Sequence, residues 1–166
     1  MSVESPATNI TVEFRDVTPD DQPLLFRIYA SSREMELSFT GWNLEQQAAF
    51  LQHQFQAQQT HYAKYYPNAT HQIILANDEA VGRLWVERRK EELLILDLVV
   101  LTASRRNGIG SRILQQLKEE AVQLGLPLHI SVEMGNPSLA YFQRLGFAVI
   151  NENGPHFTLE WRPPAE

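Results

Sequence analysis

The residues best placed to do chemistry form the run Arg105-Arg106-Asn107-Gly108-Ile109-Gly110-Ser111, which joins an apolar stretch to the start of an amphipathic helical pattern. Free N–H groups at a helix start point outward, and the helix dipole favours an anion there. Glycines let a phosphate reach the backbone with no Cβ in the way. The run reads as a phosphate-binding loop or, in the plainer alternative, as a tight strand-to-helix turn that needs two glycines. A P-loop would need Gly-Lys-Ser/Thr, but Gly110 is followed by Ser111-Arg112. A dinucleotide fingerprint would need glycine or alanine at 113, where Ile113 stands. Walker-type nucleotide hydrolysis and dinucleotide binding are both disfavoured.

Among the acids, Asp97 stands out because it lies inside the nearly continuous apolar run Glu92 to Leu101. An unpaired carboxylate there would be costly, so it must have a partner, such as backbone at a bulge, or face a wet cleft. Glu133 closes the next apolar run. His53, His61, His71, His129 and His156 make no i, i+4 pair and no H-E-x-x-H, so no metal is assigned. Tyr62, Tyr65 and Tyr66 could line a pocket, although aromatics at a helix end more often pack.

These groups must be positioned by regular elements. Ile10 to Val17 alternates as a strand, and Thr18-Pro19-Asp20-Asp21 opens a helix carrying Leu24, Leu25, Ile28 and Tyr29. A second helix is expected from Leu44 to Tyr62, with Ser31 to Trp42 as an irregular link. Strands follow at Gln72 to Ala76 and Ala80 to Arg88, separated by the turn signal Asn77-Asp78-Glu79. The near-continuous apolar run Glu92 to Leu101 is expected to be a central strand covered on both faces. The strongest helix is Gly108 to Leu124, with Ile109, Ile113, Leu117 and Leu124 on one stripe and Gly125 as its stop. A strand at Leu128 to Glu133, a short helix at Pro137 to Leu145 and two closing strands complete a mixed α/β domain with a parallel crossover around the long helix.

The length of 166 residues and 43% hydrophobic content fit one domain, residues 1–166. The absence of cysteine removes disulfides, thiolate metal sites and cysteine nucleophiles, and agrees with a cytoplasmic location. No segment has the pattern of a secretory leader or a membrane span. A net charge of −6 argues against nucleic acid as a partner. The basic cluster from Arg83 to Lys90 is expected to be a solvated face. Self-association as a homodimer is left open.

The run Arg105 to Ser111 resembles the R/Q-x-x-G-x-G/A signature of the GCN5-related N-acetyltransferase (GNAT) superfamily. Leu96-Asp97-Leu98-Val99-Val100 precedes it like the family's fourth strand, and Ile113-Leu114 follows like the apolar pair of its pyrophosphate helix. Asn136 to Phe147, ending in Leu145-Gly146-Phe147, is similar to the second hallmark of the family. The resemblance implies about seven strands and about four helices, with splayed central strands that bind the cofactor.

It also implies an acetyl-CoA-dependent N-acetyltransferase that moves an acetyl group directly to a primary amine of a small molecule or peptide. The alternative is a non-catalytic acyl-CoA-binding sensor. On that resemblance Leu98, Val99 and Val100 pair with the pantetheine arm, and Arg105, Arg106, Asn107, Gly108, Ile109, Gly110 and Ser111 hold the pyrophosphate. Asn136 and Phe142 add cofactor contacts. Phe142 stands where members often carry the tyrosine that protonates the departing thiolate. Tyr141 is adjacent but about 100° away around a helix, so the proton donor is Tyr141, water or another group. Asp97 is the leading candidate base, with Glu133 second. Glu34, Glu36 and Trp42 are the candidate acceptor-binding residues.

Overall fold

The computed structural model describes residues 10–101, 104, 107–136 and 138–165. In chain order these form β1 (Val12–Asp16), α1 (Gln22–Ser32), α2 (Glu34–Ser38), α3 (Leu44–Tyr65), β2 (Thr70–Ala76), β3 (Glu79–Arg88) and β4 (Leu93–Val100), then α4 (Ile109–Leu124), β5 (Leu128–Glu133), α5 (Ser138–Arg144), β6 (Ala148–Asn153) and β7 (His156–Trp161). The strands hydrogen-bond in the order β1-β2-β3-β4-β5-β7-β6. β1 and β2 are antiparallel, β4 and β5 parallel, and β7 antiparallel to both β5 and β6. The mixed sheet and its parallel crossover around α4 agree with the sequence pattern. The helices exceed the expected four by one, because the link before Trp42 contains α2.

Two compact units can be distinguished. One takes in the described residues up to Leu84 and from Leu98 to Gly110. Its core is Leu25, Tyr29, Leu37, Leu51, Phe55 and Ile73. α3 starts at a capping box in which Asn43 Oδ1 accepts from Gln46 N–H at 2.8 Å and Gln46 Oε1 accepts from Asn43 N–H at 3.0 Å. The β2–β3 turn places Asn77 and Asp78 at positive φ, 50° and 68°, where Asn and Asp are the tolerated non-glycine residues. Arg83 corrects the expectation of a solvated basic face. It is fully buried, and its Nη2 donates to Gln58 Oε1 at 2.5 Å. β3, rather than β4, is the strand covered on both faces, so an inward side chain there is buried whatever its charge.

Asp21 is buried at the entrance to α1, where Arg15 donates to both carboxylate oxygens at 2.8 and 2.9 Å and Thr18 N–H donates at 2.8 Å. The Arg15 hydrogen bonds are the chief reason its carboxyl is held well below the usual carboxylate range. The sign follows by linkage: the stabilisation is complete above the unfolded pKa and is lost as pH falls towards the folded one. Asp21→Asn is expected to cost about 1–2 kcal/mol at pH 7. In urea unfolding, the difference from wild type should shrink below about pH 4. A difference that grows in acid would contradict this account.

The other unit takes in residues from Trp85 to Asp97 and from Ser111 onward. It contains most of α4, whose buried stripe is Ile109, Ile113, Leu114, Leu117 and Ala121. Leu124 was expected on that stripe but is 55% exposed, because it lies in the last turn of the helix. Gly125 at φ 68° ends α4 in a Schellman motif, with Leu126 N–H bonded to Ala121 O and Gly125 N–H to Val122 O. Lys118 ties α4 to the end of α5, donating to Leu145 O at 2.6 Å and lying 5.2 Å from the Trp161 ring centroid. His129 on β5 bridges Glu92 at 3.2 Å and Glu160 at 2.9 Å. That bond to His129 is the main cause of the lowered pKa of Glu160. Among the described residues no helix is long and apolar enough to cross a membrane.

Candidate cofactor and acceptor site

Of the expected phosphate loop, Asn107 to Ser111 are described; Arg105 and Arg106 lie outside the described residues. Gly108 is exposed with φ 73°, a left-handed conformation that glycine adopts without Cβ strain, and α4 begins at the next residue. Gly110 and Ser111 therefore sit in the first turn, among the amide groups that find no acceptor within the helix. Ser111 Oγ lies 2.7 Å from the Tyr141 hydroxyl, which brings α5 to the start of α4.

β4 departs from a regular ladder with β3. Its register with β5 is Leu93 with Leu128, Leu94 with His129 and Ile95 with Ile130, and β4 runs on beyond these pairs to Val100. At the β3–β4 turn, Arg89 N–H donates to Glu92 O at 2.9 Å, which in an unbroken ladder would set Val81 opposite Val100. At the far end the bond is instead from Leu101 N–H to Val81 O, at 2.7 Å. β4 thus carries one residue more than β3 between the two bonds, a β-bulge.

Beside it, a Cβ placed on Gly82 would overlap the Val99 carbonyl oxygen and come within 3.0 Å of Val99 C and Val100 Cα. Gly82 belongs to no recognisable sequence motif. A lone glycine inside a strand pattern was the available signal, since it marks a bulge or a close backbone approach.

The other expected site residues fall in several environments. Asp97 is half-buried, and by alternation it shares a face of β4 with the buried Leu93 and Ile95. Glu133 ends β5 and lies 3.9 Å from His156 Nε2 in a partly exposed pair. Asn136 Oδ1 accepts from Ser138 N–H at 2.9 Å, capping α5. Phe142 is buried, and its ring meets Phe147 edge-on at 5.5 Å. In the other unit, Glu34 and Glu36 are exposed on α2, Glu36 accepting from Arg33 Nη1 at 3.0 Å. Trp42 packs on Phe50 with ring centroids 5.1 Å apart. Met35, Phe39 and Leu44 leave further apolar surface exposed in the same stretch, at 59%, 84% and 83%.

A positive-φ glycine before α4, a bulged β4 and a parallel β4–β5 pair joined through α4 define the class of fold as mixed α/β. A model of the acetyltransferase (GNAT) family matches residues 32–147. The chain belongs to this family and is an acyltransferase.

Among solved structures, an acetyltransferase from Thermus thermophilus is 25% identical, with a TM-score of 0.64 over 93% of this chain and 97% of that one. PaiA N-acetyltransferase from Thermoplasma acidophilum, in complex with coenzyme A, is 14% identical, with a TM-score of 0.69 over 92% of this chain and 99% of that one. The ribosomal-protein-S18-alanine N-acetyltransferase from Escherichia coli is 13% identical, with a TM-score of 0.61 over 94% and 96%. The last two likenesses show the fold. No curated protein matches the chain.

Proposed function

We propose that residues 1–166 act as one catalytic domain that transfers the acetyl group of acetyl-CoA to a primary amine of a small molecule or peptide. The observation that carries this reading is the turn at Asn107-Gly108, where a positive-φ glycine opens directly into the first turn of α4. Amides from Asn107 to Ser111, with Arg105 and Arg106, hold the pyrophosphate. Leu98 to Val100 pair with the pantetheine arm as an added strand would, and Asn136 and Phe142 complete the cofactor contacts.

The amine lone pair attacks the thioester carbonyl, forming C–N as C–S breaks. Asp97 takes the amine proton, and the thiolate leaves with a proton from solvent. Glu34, Glu36 and Trp42 are assigned to acceptor binding, the two acids suiting a cationic amine. The lack of cysteine suits a reducing cytoplasm. Incubation with acetyl-CoA and a panel of amines should release free CoA and give acetylated amine by mass spectrometry. Bound acetyl-CoA with no release above the amine-free rate would overturn transfer.

Tyr141 is assigned to the cofactor rather than to acid catalysis, because its hydroxyl is engaged with Ser111 in the first turn of α4. Tyr141→Phe should raise the KM for acetyl-CoA by roughly two- to tenfold, the loss of one hydrogen bond, with kcat within about threefold of wild type. A fall of two orders of magnitude in kcat with unchanged cofactor affinity would make Tyr141 the acid instead.

A further inference from the structure

We infer that Gly82 is a positioning residue for the cofactor: its missing side chain is what lets β4 bulge against β3, and the bulge fixes the backbone of Leu98 to Val100 that receives the pantetheine arm. The inference rests on the cofactor reading above. Gly82 lies in the buried middle of β3, where a glycine forfeits side-chain packing and has greater backbone entropy to lose than any other residue. A Cβ there would collide with backbone, the Val99 carbonyl and Val100 Cα, and backbone cannot rotate away as a side-chain tip can.

The same residues carry the register slip. Val81, next to Gly82, accepts from Leu101 rather than Val100, so the extra residue of β4 lies between this bond and the β3–β4 turn, and the close approach of Val99 and Val100 to Gly82 falls within that span. A bulge turns successive peptide groups away from ladder geometry and re-aims them. Leu98 to Val100 end at this point, and the phosphate loop follows within a few residues.

A side chain at Gly82 must push Val99 and Val100 off β3. The nucleotide half of the cofactor, bound at the loop and α4, should be indifferent to that shift, whereas the pantetheine arm should not. The test measures Kd by calorimetry for CoA and for its nucleotide half, 3′-phosphoadenosine diphosphate, in wild type, Gly82→Ala and Gly82→Ser, after confirming folding by circular dichroism. In folded Gly82→Ala the Kd for CoA should rise by roughly tenfold or more while that for the nucleotide stays within about twofold. Gly82→Ser should behave alike.

Three results would overturn the role: unchanged CoA affinity in a folded variant, equal weakening of both ligands, or failure of both variants to fold even at low temperature with a stabilising osmolyte, which would make the glycine a matter of sheet stability alone. Wild type that binds neither ligand would instead sink the underlying cofactor reading.

Discussion

Asp97→Asn is expected to lower kcat/KM by roughly two to four orders of magnitude, with CoA affinity and melting temperature little changed. Asparagine keeps the size of aspartate and most of its hydrogen bonding but carries no charge and is a far weaker base. Asp97 is half-buried on the same strand face as the buried Leu93 and Ile95, so the substitution removes its charge without opening a cavity.

A purely structural Asp97 predicts the reverse pattern, with stability falling and turnover per folded molecule surviving. The pH profile separates the two further. A base must be deprotonated to act, so its loss should remove or displace the acidic limb of kcat/KM. An unaltered limb with near-normal turnover would eliminate Asp97 and make Glu133, at the end of β5, the better choice.

The parts of this site that could be read from sequence are those whose geometry is set locally. A Gly-x-Gly opening an amphipathic helix needs only its own residues to be recognised, and Gly108 and α4 lie where the pattern put them. Gly125 likewise ends α4 through bonds to residues a few positions back. The bulge is different. It depends on which residue of β4 faces which residue of β3, and pairing across a turn leaves no mark in either strand except Gly82.

Arg83 was misread for a related reason. A charge in a basic cluster reads as solvated until the strand is known to be covered on both faces. α2 was missed because a five-residue helix shows barely more than one turn of periodicity, and its preceding residue, Arg33, makes no side-chain cap. Phe142 could be seen as a departure from the family's tyrosine. Its edge-on contact with Phe147 explains how an apolar ring is kept there.

Gly108→Val should weaken CoA binding by at least about tenfold, through two effects that a second variant separates. Valine is a poor occupant of φ 73°, so it strains the turn, and its branched side chain would stand where a pyrophosphate approaches the first amides of α4. Asparagine tolerates the left-handed region well but still carries a Cβ and an amide. If backbone conformation alone matters, Gly108→Asn should bind CoA like wild type. If close approach of the phosphate matters, both variants should lose affinity, and the loss should appear equally for CoA and for its nucleotide half, because both carry the pyrophosphate. Gly110→Val, one turn position further into α4, should follow the same pattern without the positive-φ component. Calorimetry on variants shown to be folded reads all three, and CoA affinity unchanged in Gly108→Val would remove the pyrophosphate from this loop.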